Sequence, residues 1–133
     1  MERVAGVGYD AFMARLEARQ LAIEIARLAN GMQAEEVALM DLRGLSGVTD
    51  FFVICTGTSD RQMRAIFDAI IDYGRKVGER PYGKAGYETA TWMVLDFVDV
   101  VVHIFDPPHR EYYDLELLWG DAPRVEWALS KTA

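Results

Sequence analysis

The chain has 133 residues, 51% of them apolar, a net charge of −7 and a single cysteine. That length fits one domain spanning 1–133 around one hydrophobic core, and the apolar share is far too high for a disordered chain. The apolar runs are much shorter than the ~20 residues of a membrane span, and Cys55 has no second cysteine with which to form a disulfide. The opening residues mix acids with arginines, unlike a signal or transit peptide, so a cytoplasmic protein without membrane contact is expected.

Charge is unevenly placed. Residues 1–84 carry 12 acidic and 11 basic side chains, whereas residues 85–133 carry 9 acidic and 3 basic. An acidic half opposes phosphate-driven contact, so no direct specific nucleic-acid binding is expected. It suits a basic protein partner, whose opposite potential steers the encounter.

Tyr9 to Asn30 reads as an amphipathic helix, with Leu21, Ile25, Leu28 and Met32 at helical spacing and Ala18, Ala22 and Ala29 beside them. Asn30-Gly31 is its predicted stop. Val37 to Leu42 predicts a first strand, and the unbroken apolar run Phe51 to Thr56 a central strand covered on both faces. Ser59, followed three residues later by Gln62, has the pattern of a capping box. Met63, Ile66, Phe67, Ile70, Gly74 and Val77 then mark one face of a long helix that Gly78 ends.

Pro81 to Ala90 holds a short strand at most. Trp92 to Phe97 and Val100 to Phe105 predict two strands joined by a tight turn at Val98-Asp99. That pairing sets Phe97, Leu95 and Met93 opposite Val100, Val102 and Ile104 on an apolar face. The other face carries Trp92 with Phe105, Val94 with His103, and Asp96 with Val101. Pro107-Pro108 reads as a break, and Tyr112 to Trp119 as a short helix whose Tyr112, Tyr113 and Trp119 pack toward the sheet.

Catalytic patterns are missing from the sequence. The Gly57-Thr58-Ser59-Asp60 stretch lacks the second glycine and the lysine of a phosphate loop, and a helix cap accounts for it better. Metal-dependent nucleotidyl transfer needs carboxylates two residues apart on a strand, where they share a face. Asp96 and Asp99 are three apart across a turn, and Asp114 with Glu116 falls on the predicted helix. His103 and His109 have no zinc-type neighbours. No cofactor, no metal and no enzymatic activity are expected.

Asp41-Leu42-Arg43-Gly44-Leu45-Ser46 and the run from Thr49 to Gln62 (TDFFVICTGTSDRQ) resemble the signature of the ribosomal silencing factors, also called the Iojap family. Trp92 to Asp96, Asp99 to Phe105 and Arg110 to Trp119 are similar to the same pattern, in the same order. The likeness runs from about Leu16 to Ala122 and leaves a short tail over 123–133.

The resemblance implies an α/β fold: a mixed β-sheet flanked by helices, related to the nucleotidyltransferase-like fold but without its catalytic carboxylates. It implies a translational repressor that binds the large ribosomal subunit through ribosomal protein fourteen and so blocks subunit association when nutrients are scarce. Carried onto this chain, Trp92 belongs to the contact surface, with Asp96 and neighbouring acidic positions such as Asp99 as companions; His103 reads as structural or interfacial, and Arg61, inside the similar motif, is a weaker candidate. A homodimer is open, and a nucleotide-binding enzyme or a homodimeric scaffold are the alternatives. The family usually carries Gly where this chain has Val98. A β-branched residue is costly at positive φ, so a longer or shifted turn, with other cross-strand partners, stays open.

Overall fold

The computed structural model describes residues 18–129. The start of the predicted first helix, from Tyr9, lies outside them, as do residues 130–133. The described part of that helix, α1, covers 18–31. It is followed by β1 (Glu35–Asp41), β2 (Phe51–Thr56), α2 (Asp60–Lys76), β3 (Gly83–Ala85), β4 (Trp92–Asp96), β5 (Val100–Phe105), α3 (Pro107–Tyr113) and α4 (Leu115–Leu118). The five strands form one mixed sheet in the order β1-β2-β5-β4-β3. Only β2 and β5 are parallel; every other neighbouring pair is antiparallel. The chain is therefore α/β with a mixed sheet and flanking helices.

Strand alternation divides the core between two faces. Val53, Cys55, Met93, Leu95, Val102 and Ile104 point to one side, beneath α1 and α2. On α1 the small side chains go deepest: Ala22, Ala26 and Ala29 are fully buried with Ile25, while Leu28 and Met32 are half-buried. Cys55 lies in this core, where burial pushes its thiol up to about 12, an unreactive structural group. On the opposite face Met40, Leu42, Ile54, Phe105 and Ala122 form a smaller cluster, with Phe52, Trp92, Leu115 and Trp119 packed against it.

The predicted strand pairing holds residue for residue. Trp92 faces Phe105, Met93 faces Ile104, Val94 faces His103, Leu95 faces Val102 and Asp96 faces Val101. The turn neither lengthens nor shifts: the Phe97 amide donates to the Val100 carbonyl at 2.8 Å, and Val98 adopts the costly conformation, φ 76°.

Five local expectations are corrected. Helix α1 runs through Gly31, and Gln33 (φ 73°) takes the left-handed position, letting the Ala34 amide reach the Ala29 carbonyl at 3.0 Å. Ser59 Oγ does accept from the Gln62 amide at 3.0 Å, but the Gln62 carboxamide does not return to Ser59. It accepts from the Thr58 amide at 2.7 Å and donates to the carbonyls of Met32 and Gln33, tying the start of α2 to the end of α1.

Pro107-Pro108 does not break the chain but opens α3. Asp106 caps the helix, and in a first turn a missing N–H costs nothing. The predicted helix over Tyr112 to Trp119 is instead the end of α3 and a separate α4, divided by Asp114 at φ 44°. Tyr112 is accordingly exposed rather than packed. Val77 also leaves the buried face of α2, as the residue that caps its end.

The segment over 123–127 follows the outer edge of β1. The Asp41 amide donates to the Pro123 carbonyl, the Val125 amide to the Leu39 carbonyl, and the Trp127 indole to the Val37 carbonyl. A free strand edge is thereby covered.

Candidate partner-binding face

Trp92 opens β4 on the face away from α1 and α2. Its ring is half-buried, stacked on Phe105 (5.1 Å between centroids) and packed on Tyr113 of α3 at 4.5 Å. The indole N–H donates to Nδ1 of His103 at 3.1 Å. An acceptor at Nδ1 places the proton of a neutral imidazole on Nε2. His103 is only 6% exposed, so burial holds it neutral by pushing its pKa down to about 4. Its Nε2 finds no hydrogen-bond partner among the described residues, and the ring stands edge-on to Phe52 at 4.5 Å.

Asp96 shares this face four residues on, at the other end of β4. Its Oδ1 accepts from the Val98 amide at 2.7 Å, so the carboxylate holds the turn as well as lining the surface. Asp99 sits exposed at the hairpin tip. Its backbone carbonyl accepts from the amides of Asp50 and Phe51, each at 3.0 Å, which fastens the hairpin to β2. Partial burial and the nearby charge of Asp50 push its carboxyl above the usual range. Trp92, Asp96 and His103 thus come together, with Asp99 at their edge. Arg61 does not join them; it is exposed in the first turn of α2, in the helical layer on the other face.

Val98 is a contributor that sequence reasoning treated only as a difficulty. Its φ of 76° and the bond from the Asp99 amide to the Phe97 carbonyl (3.0 Å) make a γ-turn of the strained hand. A β-branched side chain held there costs about 1–3 kcal/mol. The side chain remains 50% exposed and lines a groove of about 730 Å³ with Leu45, Val48, Phe52, Val101 and Trp119. Phe52, Tyr113 and Trp119 were legible as aromatics, but their convergence on Trp92 and His103 depends on tertiary packing.

Among the described residues no group of three His, Cys, Asp or Glu side chains is placed to hold a metal ion. The glycine loop before α2 is closed on itself: Ser59 and Gln62 occupy its amides, and a Cβ on Gly57 would run into Met63. What remains is an aromatic and apolar surface edged by carboxylates, chemistry suited to holding a basic protein.

Comparison with known proteins decides the family. The family model described as ribosomal silencing factor during starvation matches residues 15–133. The chain belongs to the ribosomal silencing factor family. It is 40% identical to the ribosomal silencing factor RsfS of Halalkalibacterium halodurans over 114 residues, which cover 86% of this chain and 95% of the relative. It is 42% identical to RsfS of Bacillus subtilis over 101 residues, covering 76% of this chain and 86% of the relative.

A crystal structure from Bacillus halodurans superposes with a TM-score of 0.70 at 38% identity, covering 84% of this chain and 98% of that one. Membership in the silencing factor family makes this a protein of translational regulation associated with the ribosome.

Proposed function

We propose that the chain represses translation by steric exclusion: its Trp92 face docks on ribosomal protein fourteen of the large subunit and obstructs the approach of the small one. Trp92 carries this proposal. A large aromatic side chain is left half-exposed on a sheet face, oriented by a hydrogen bond to His103 and placed on the same strand face as the Asp96 carboxylate, four residues on. Rigid aromatic anchors beside charge are the usual high-energy contacts of protein interfaces. A ribosomal protein, basic because it lives against RNA, complements an acidic partner. No turnover enters such a mechanism, since occupancy alone represses.

Sucrose-gradient co-sedimentation with purified large subunits tests the docking, and light scattering of mixed subunits tests the block. Binding at physiological salt together with reduced subunit joining is the expected result. Failure to co-sediment would overturn the function. Saturable binding or turnover of nucleoside triphosphates with a divalent metal would favour a nucleotidyltransferase-like enzyme instead.

A further inference from the structure

We propose that Val98 is the specificity-determining residue of the partner-binding face: its isopropyl group walls the groove and seats an apolar side chain of a basic segment of the ribosomal protein. The proposal rests on the function given above and deepens it. Everything that builds the turn is backbone or belongs to another residue. Asp96 accepts from the Val98 amide, the Asp99 amide from the turn reaches the Phe97 carbonyl, and the Phe97 amide closes the hairpin on Val100. Glycine would keep all of these bonds and lose the strain.

The side chain therefore costs the free protein conformational energy, while half of it stays in water. Its neighbours across the groove are also unsatisfied apolar surface, with Val48 at 86% and Leu45 at 46% exposure. Burial of these groups is completed only when something apolar enters.

The rim fixes the character of that occupant. Asp96 lines the groove, and Asp99 and Asp50 stand close enough for their charges to be felt at the hairpin tip. Neither Asp99 nor Asp50 forms a salt bridge among the described residues, although the charge of Arg43 reaches Asp50. An apolar side chain flanked by Lys or Arg satisfies both the groove and its rim.

The test uses the full chain with Val98→Gly, Val98→Ala and Asp99→Asn, each measured for melting temperature and for binding kinetics on purified large subunits. Val98→Gly should melt higher than wild type by a few degrees, because strain relief outweighs the added freedom of the unfolded chain. It should nevertheless bind about fivefold more weakly, through faster dissociation. Val98→Ala keeps the left-handed strain, so it should lose affinity similarly with no rise in melting temperature. Asp99→Asn should slow association and leave dissociation nearly unchanged. Wild-type affinity in both Val98 variants, with wild type itself bound, overturns the role of Val98 alone. Absence of wild-type binding overturns the function beneath it.

Discussion

The indole N–H of Trp92 donates to Nδ1 of His103 at 3.1 Å across paired strands, joining a half-buried aromatic anchor of the face to a titratable group buried in it. The bond fixes the orientation of one ring and the tautomer of the other. It works only while His103 is neutral, because a protonated imidazole has no acceptor to offer. The structure of the face is thereby linked to pH.

The unfolded chain titrates His103 near the ordinary 6.5, and the folded chain near 4. Below pH 6.5 the unfolded state binds a proton that the folded state refuses. Stability is therefore full above that pH and falls as pH drops toward 4. Between pH 7.5 and 5.0 the loss from this residue should be about 2 kcal/mol. Urea unfolding of wild type and His103→Gln at the two pH values measures it. The glutamine carbonyl still accepts from Trp92 but does not titrate, so the variant's stability should change less by about that amount. An equal pH response in both proteins would assign the acid sensitivity to other groups.

Trp92→Ala should weaken large-subunit binding about 30-fold, equivalent to roughly 2 kcal/mol. Its stability should also fall by about 2 kcal/mol, since the ring leaves Phe105 and Tyr113 and strips His103 Nδ1 of its donor. Leu95→Ala is the control, because that side chain is fully buried beneath the helices on the opposite face. It should cost about 2–5 kcal/mol of stability and leave the affinity of the folded protein unchanged. A folded Trp92→Ala protein that binds normally would show that another surface makes the contact.

Strict alternation in β4 and β5 made the division of residues between the two faces legible, since a slip of one residue would send Leu95 and Val102 into solvent. The same alternation puts Trp92, Asp96 and His103 on one face. Local propensity failed at Val98, where the hairpin register, fixed by buried pairs on both sides, overrode a preference worth only a few kcal/mol. It failed again at Pro107-Pro108, because the same dipeptide can end one element or begin another, and the choice fell to Asp106 as a cap. Arg110 could not be read at all. Its partners Thr56 and Glu36 lie 54 and 74 residues away, and no periodic pattern announces such a bond.

Raising ionic strength should weaken binding through slower association if the acidic half steers the encounter. The screening length shortens from about 10 Å at 0.1 M salt to about 3 Å at 1 M, so steering fades while contacts inside the groove persist. Stopped-flow association with purified large subunits across this range gives the readout. An association rate indifferent to salt would make the acidic groups a solubility feature.

Arg110 is the pin that holds α3 under Trp92, and its removal should be felt at both stability and binding. The guanidinium is 9% exposed and uses four of its five N–H donors: Nη1 donates to the Glu36 carbonyl at 2.6 Å and to Thr56 Oγ1 at 2.9 Å, while Nε and Nη2 grip both oxygens of Glu116. Burial pushes the Glu116 carboxyl up, but Arg110 and Arg124 together outweigh it and hold it below its ordinary range. Its share of stability is thus present above about pH 4.5, the ordinary glutamate value, and is lost as acid titrates the folded protein. Arg110→Met keeps the aliphatic stem but leaves Thr56 and a carbonyl without their donor and Glu116 with Arg124 alone, so it should cost about 3 kcal/mol or more. Adding Glu116→Leu removes the under-paired carboxylate and should recover part of that loss, a coupling read from the double-mutant cycle in urea. Large-subunit affinity should fall in Arg110→Met as well, because Tyr113, three residues along α3, loses its fixed place against the Trp92 ring. Unchanged stability in Arg110→Met, or strictly additive effects in the double mutant, would show that this buried pair does not hold the helix in place.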